Sequence, residues 1–263
     1  LITVVPIIVV VIFIAAKGLP AISWEFITGF PREGMREGGI FPAIIGTFYL
    51  TLGTAIFAVP LGIGAAIYLA EYAAENRWTR IIRIAIINLA GIPSVVYGLF
   101  GLGLFVLFLR LGTSIMAGSL TLSIMTLPVI ISTTEEALRA VPQSFRVISI
   151  SLGATRWQTI RKIVLPEALP GILTGVILGL ERAAGETAPI LFTVAAFFLP
   201  RLPHSPLDAT MALPYHLFVI STQVPGMPIQ IQYGTALVLI VFVLSMNIIA
   251  TTIRSRARAK RQW

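Results

Sequence analysis

Six apolar blocks separated by short polar segments set the pattern of this chain. They cover about 1–16, 43–69, 82–109, 115–133, 168–198 and 233–253. Each is read as a membrane-spanning helix, because roughly 20 apolar residues rising 1.5 Å apiece cross the ~30 Å hydrocarbon core. Residues 1–16 would rise only about 24 Å, so native residues are expected before Leu1, and no cleavable signal with a basic start is visible. The first block closes at Lys17-Gly18-Leu19-Pro20, the second at Glu71 and the third at Arg110 before a tight Leu111-Gly112-Thr113-Ser114 turn. The fifth closes at Pro200, and a Pro-rich loop leads to the sixth.

The stretch Pro142–Pro170, PQSFRVISISLGATRWQTIRKIVLPEALP, is too polar to be a span. Gly153 divides it into two short helical patterns and supplies the turn between them. Thr155-Arg156-Trp157-Gln158 has the capping-box form, with Thr at the N-cap and Gln at N3, so a second helix is expected to start there. Leu165-Pro166-Glu167-Ala168-Leu169-Pro170 is expected to close the stretch as a rigid passage. On spacing alone two readings stand. Ile148, Ile150, Leu152, Trp157, Ile160 and Ile163 rest on lipid, or Trp157 docks into the groove of a soluble partner.

Charge orients the set. Thirteen Lys and Arg flank one side, in residues 70–83, in 134–170 and in the tail from Arg254 to Arg261, against five on the other. The richer side is read as cytoplasmic, so both termini and the loop 134–167 face the cytoplasm, and 254–263 form a basic cytoplasmic tail. The net charge of +8 is then a membrane signature, and no nucleic-acid partner is expected. With 57% hydrophobic and 11% charged residues against about 25% charged in soluble domains, the chain is a polytopic membrane protein whose partner is the lipid bilayer. It has no cysteine, which excludes disulfides and thiolate metal sites.

The spans carry unusual residues. Gly175-Val176-Ile177-Leu178-Gly179 has the small-xxx-small form of close helix packing. Pro60 and Pro93 free carbonyls inside spans and hint at broken helices. One ionisable cluster, Glu181-Arg182-Ala183-Ala184-Gly185-Glu186, falls midway along the fifth block. In one continuous helix Arg182 and Glu186 would share a face. They form an internal ion pair, or the favoured alternative, a charge pair on a substrate path, since buried charge kept only for packing is replaceable by apolar residues. The guanidinium fork suits phosphate or carboxylate oxygens, and Thr187 and Thr193 add hydroxyls. His204 and His216, in the outer Pro-rich loop or at its edge, are expected to be surface imidazoles. With Asp208 the only Asp, no metal site is expected. Ser94 and Ser123 have no activating base within the spans. No GxxxxGK[ST] loop is present to hold ATP.

Gly153, nine residues, then Ile163-Val164-Leu165-Pro166 resembles the cytoplasmic loop of ABC-importer permeases, whose EAA positions are occupied here by Val147-Ile148-Ser149. Four further stretches resemble the PstA-type phosphate permease: Pro60–Tyr72, Ala90–Gly101, Leu127–Leu138 and Arg182-Ala183-Ala184-Gly185-Glu186-Thr187-Ala188-Pro189. The resemblance covers about residues 45–200. It implies an all-α type I ABC importer permease fold, one domain over 1–253, in the cytoplasmic (inner) membrane of a prokaryote. It implies a transporter subunit rather than an enzyme, importing inorganic phosphate, with another oxyanion or small solute as the alternative. A secondary transporter or intramembrane enzyme ranks below both. The implied partners are a PstC-type sister permease, two PstB-type ATPases and a PstS-type binding protein, although sequence alone also admits a homodimer. The chain itself holds no cofactor, ATP being bound by the ATPase. Gly153, Ala154, Thr155, Trp157, Ile163, Leu165 and Pro166 are implied to couple to the ATPase, and Glu181, Arg182, Glu186 and Thr187 to line the substrate pathway.

Overall fold

The computed structural model describes residues 4–259. The first three residues of the expected first span, and Lys260 and Arg261 of the tail, lie outside the described residues. Apart from connecting loops and a two-residue antiparallel hairpin, β1 (Pro31–Arg32) with β2 (Glu37–Gly38), the described chain is helical. Five helices are long and apolar enough to cross a membrane. α1 (Val4–Gly18) leads the set, with the short α2 (Trp24–Thr28) in the following loop. α3 (Phe41–Ile67) ends in a π-helical turn, Tyr68–Tyr72. α6 (Ile115–Arg139) extends beyond the expected 133 and carries Glu135 and Glu136 on the helix. The remaining two are the helix Arg156–Gly185 and α12 (Ile229–Ala259).

The third expected span, 82–109, is not one helix. α4 (Arg77–Ala90) starts earlier, capped by the Asn76 side chain accepting from Thr79 N–H at 2.9 Å. It stops at Gly91, and after a break α5 (Ser94–Gly101) and its π-helical continuation Leu102–Phe108 follow. Pro93 has no N–H with which to continue the ladder and pushes Ile92 out of helical geometry. The Leu89 carbonyl is taken instead by Ile92 N–H at 3.1 Å.

The fifth expected span, 168–198, differs at both ends. α7 (Gln143–Ser151) is followed by α8 (Arg156–Thr159), a π-helical turn Ile160–Val164 and α9 (Leu165–Gly185) without interruption. The Leu165-to-Pro170 passage, expected to close the stretch, is the first part of α9. Leu165 N–H bonds the Ile160 carbonyl, five residues back, and this widened turn takes up the Pro166 ring. At the other end α9 stops at Gly185, and α10 (Ala188–Thr193) follows after a break at Glu186-Thr187. Pro189 follows it: the N–H that would reach the Gly185 carbonyl is missing, and the proline sits in the first turn of α10, where that donor is not needed.

The chain divides into two compact units. The first comprises residues up to Gly53, Ser94–Leu122 and Ala184–Ser245. Its α10 packs closely on α5, for a Cβ at Gly98 would stand 3.0 Å from Ala188 O and Pro189 Cα. The opening of α6 is satisfied by loop carbonyls, Ile115 N–H bonding Asp208 at 2.9 Å and Met116 N–H bonding Pro206 at 2.8 Å. The expected Pro-rich loop contains a buried helix, α11 (Leu213–Thr222), whose Leu213 N–H donates to Thr47 Oγ1 at 2.8 Å. His204 is exposed. His216 is not a surface imidazole: it is 2% exposed, its Nδ1 has no hydrogen-bond partner among the described residues, and burial holds its pKa down at about 4.

The second unit comprises Thr54–Pro93, Ser123–Ala183 and residues from Met246. Its buried core joins Ala66 and Leu69 of the α3 end, Ile131 and Leu138 of α6, and Val164 and Ala168 around the start of α9. Gly171, Gly175 and Gly179 lie along α9 against Ala137, Thr133 and Ile130 of α6. Three small residues four apart let the two backbones approach where lipid offers no hydrophobic drive.

Candidate functional site

The polar stretch folds as a helical hairpin. Gly153 turns it at φ +87°, a left-handed conformation that side chains with a Cβ resist. Thr155 and Gln158 form both bonds of the capping box, Gln158 N–H to Thr155 Oγ1 at 3.2 Å and Thr155 N–H to Gln158 Oε1 at 2.8 Å. The two arms are joined by a buried 2.8 Å bond between the Ser149 and Thr159 hydroxyls.

Both arms grip the end of α3. Arg146 of α7 bonds Glu71 Oε1 at 2.7 Å, and donates to the Val141 carbonyl at 2.7 Å and the Leu138 carbonyl at 2.8 Å. Arg156 of α8 donates to the Glu71 carbonyl oxygen and stands 5.1 Å over the Tyr72 ring. Nearby, Arg83 binds Glu135 at 2.8 Å and Glu75 at 3.1 Å, and Arg139 bonds both carboxylates at 3.0 Å. The Arg139 and Arg83 guanidiniums hold the Glu75 carboxyl below the usual range. A cleft of about 670 Å³ lies along this contact. Its arginines are already bonded to carboxylates and carbonyls, so it is a joint rather than an anion pocket.

The hairpin exposes a run of apolar side chains. Phe145, Val147, Ile148, Ile150, Leu152 and Trp157 are all exposed, Leu152 at 83% and Trp157 at 51%. Of the expected coupling residues, Gly153, Thr155 and Trp157 are exposed at the tip, and Ala154 is half-buried beside them. Ile163, Leu165 and Pro166 are half-buried at the joint with α9. The structure therefore places the seven in one hairpin and its root.

The expected pathway residues are arranged differently from a continuous helix. Glu181 and Arg182 are half-buried in the last turns of α9, whereas Glu186 and Thr187 fall in the break, so the i,i+4 relation of Arg182 and Glu186 along one helix is lost. Neither Arg182 nor Glu186 is without a partner. One carboxylate oxygen of Glu181, Oε1, is buried with no hydrogen-bond partner among the described residues, an arrangement proteins seldom keep without a use. Thr193 is buried and bonds the Pro189 carbonyl of its own helix at 2.8 Å.

Hydrophobic patterning did not point to Glu71 or its clasp, because Arg146 lies 75 residues away. Its trace in the sequence is an acidic residue closing the second span opposite a basic loop. The Glu135–Arg139 pair was visible as i,i+4 spacing.

Residues 58–259 match the family described as binding-protein-dependent transport system inner membrane component. The probable ABC transporter permease protein YqgI of Bacillus subtilis is 36% identical over 252 residues, covering 90% of this chain and 85% of its own length. The phosphate transport system permease protein PstA 1 of Mycobacterium tuberculosis is 36% identical, covering 86% of this chain and 72% of its own. PstA of Xylella fastidiosa is 34% identical, covering 92% and 83%. In fold, the chain superimposes on the inward-facing MetNI methionine ABC transporter with TM-score 0.66, at 18% identity and covering 82% and 94%. It superimposes on a bacterial ABC transporter involved in alginate import with TM-score 0.65, at 17% identity and covering 94% and 89%. The chain belongs to the family of binding-protein-dependent transport system inner membrane components and is an ABC importer permease subunit, not an enzyme.

Proposed function

We propose that this permease carries inorganic phosphate through the cytoplasmic membrane, with both termini inside. A member of this family works with an ATPase and a substrate-binding protein. Here the finer assignment is a PstC-type sister permease, two PstB-type ATPases and a PstS-type binding protein, with ATP held by the ATPase and no cofactor in this chain. Phosphate as cargo is supported by relatives named phosphate permeases at 34–36% identity over most of the chain. The mechanism rests on one observation above others: the exposed hairpin tip and Arg182 stand on one uninterrupted helix, Arg156–Gly185. ATP-driven closure of the ATPases pushes the tip around Gly153 and Trp157, and α9 moves as a rigid rod. Phosphate stays charged throughout, so a guanidinium on its path lowers the desolvation barrier it meets. Glu186 limits the affinity of Arg182 so that the anion leaves again, while Glu181 and Thr187 complete the lining.

Uptake of labelled phosphate by proteoliposomes carrying the complete importer tests this. Arg182→Ala is expected to abolish uptake while the complex still assembles, and normal uptake refutes the pathway role. Competition by phosphonate or molybdate at the level of phosphate itself refutes phosphate as cargo. A photocrosslinker at Trp157 is expected to capture the ATPase.

A further inference from the structure

The hairpin is fastened to more than its own span, and the second fastening has a direction. Arg146 and Arg156 come from different arms, yet both end on the two residues Glu71-Tyr72. The Ser149–Thr159 bond holds those arms together, so they move as one body. The segment they grip is itself a widened turn, with Ala73 N–H bonding the Tyr68 carbonyl five residues back at 2.8 Å. Apolar packing between α3 and α9 is non-directional and allows sliding, whereas a guanidinium held by a carboxylate fixes distance and orientation together.

We infer that Glu71 is a positioning residue through which displacement of the hairpin enters the second span, a route separate from the α8–α9 rod. The inference rests on the reading that the hairpin docks an ATPase. Arg146 has two kinds of partner, and that makes the inference testable. If Glu71 is removed, Arg146 keeps the Leu138 and Val141 carbonyls at the end of α6, a place where a cation is favoured. α7 then stays seated on α6, Arg156 keeps the residue 71 carbonyl and the Tyr72 ring, and only the carboxylate link from Arg146 to the end of α3 is lost. Truncating Arg146 would break both links, and exchanging the two charges would put a carboxylate against two carbonyls. Glu71 is therefore the residue to change.

The measurement is phosphate taken up per ATP hydrolysed by the complete importer in proteoliposomes, with the ATPase retained on purification as the control. Glu71→Ala is expected to keep the ATPase and its hydrolysis while the ratio falls about tenfold or more, the worth of one charged hydrogen bond. Glu71→Gln, which keeps an acceptor oxygen without the charge, is expected to fall between Ala and the parent, and Glu71→Asp to stay nearer the parent. An unchanged ratio for Glu71→Ala overturns the inference and leaves ATPase docking standing. Loss of the ATPase from the Glu71→Ala complex marks Glu71 as a structural staple and overturns it as well. If the parental permease holds no ATPase, or holds it equally with Trp157→Ala, the docking reading fails first and takes the inference with it.

Discussion

Replacing Gly175 by Ala tests the packing that aims α9. A Cβ there would fall on Thr133 Oγ1 and lie 2.8 Å from Thr133 Cβ. The hydroxyl could rotate away by giving up its 2.7 Å bond to the Val129 carbonyl. The Thr133 Cβ cannot, being fixed to the backbone of α6. Carbon atoms settle at about 3.5–4.0 Å, so the helices must part by roughly 1 Å at this level. Overpacking at so close a contact costs about 2–3 kcal/mol, the upper part of the usual range, and the better helix propensity of Ala offsets about 1, leaving a net loss of about 1–2 kcal/mol. At about 2–4 °C per kcal/mol, the melting temperature of the reconstituted permease should drop by about 2–8 °C. Thr133→Gly in the same chain removes both obstructing atoms, so the Gly175→Ala change should then be harmless. The double-mutant cycle is expected to show a coupling of about 1–3 kcal/mol. Purely additive effects, or a Gly175→Ala protein that melts at or above the parent, would refute the close-packing argument.

Gly153→Ala meets no neighbouring atom within 4 Å, so its cost is backbone strain alone at φ +87°, about 1–2 kcal/mol. Faster proteolysis within the hairpin should report it, Gly153→Asn should be milder, and parental resistance for Gly153→Ala would contradict the turn assignment. His216 is held neutral, its pKa lowered from 6.5 to about 4 by burial. As pH falls the unfolded chain takes up that proton first, so stability is whole above about pH 6.5 and declines towards pH 4. His216→Leu should flatten that slope in pH-dependent melting, and an unchanged slope would reject the assignment. Asp208 acts lower: His204 and Ser205 N–H groups hold its carboxyl below 3.8, so its contribution is lost only beneath that window.

The sequence announced whatever depends on neighbours along the chain. The capping box of Thr155 and Gln158 and the turn at Gly153 are local, and both form where the pattern put them. Four of the apolar blocks fall on long helices, whereas 82–109 is broken at Gly91 and 168–198 at Glu186-Thr187, and Gly175 with Gly179 marked a packing face. Prolines were not legible in the same way. Pro60, Pro128 and Pro170 lie inside continuous helices, while Pro93 and Pro189 accompany breaks. The residue type is the same in all five, but Gly91 and Gly185 precede the two breaks and weaken the helix just before the missing donor. α11 was hidden because prolines before it read as loop, although Pro214 is well suited to a first helical turn. The Glu71–Arg146 clasp joins residues 75 apart, and no periodicity records such a pairing.

Charge counting treats every Lys and Arg alike, whereas the fold divides them by task. Arg83, Arg139, Arg146 and Arg156 are bound to carboxylates, carbonyls or a ring within the second unit. Arg77, Arg80, Arg161 and Lys162 stay exposed. Two of the hairpin's four basic residues, Arg146 and Arg156, are thus turned inward, where they tie the hairpin to α3 and α6, while Leu152 and Trp157 are exposed at its tip beside Arg161 and Lys162 further along. An apolar contact face suits a joint that must stay attached through each cycle, because burying Leu152 and Trp157 depends little on salt. A charged interior suits transmission, because each bond fixes a direction. On the proposed docking reading, grip and transmission would fall to different residue classes on one hairpin, so a substitution at Leu152 or Trp157 should loosen attachment and one at Glu71 should leave attachment intact and spoil the stroke.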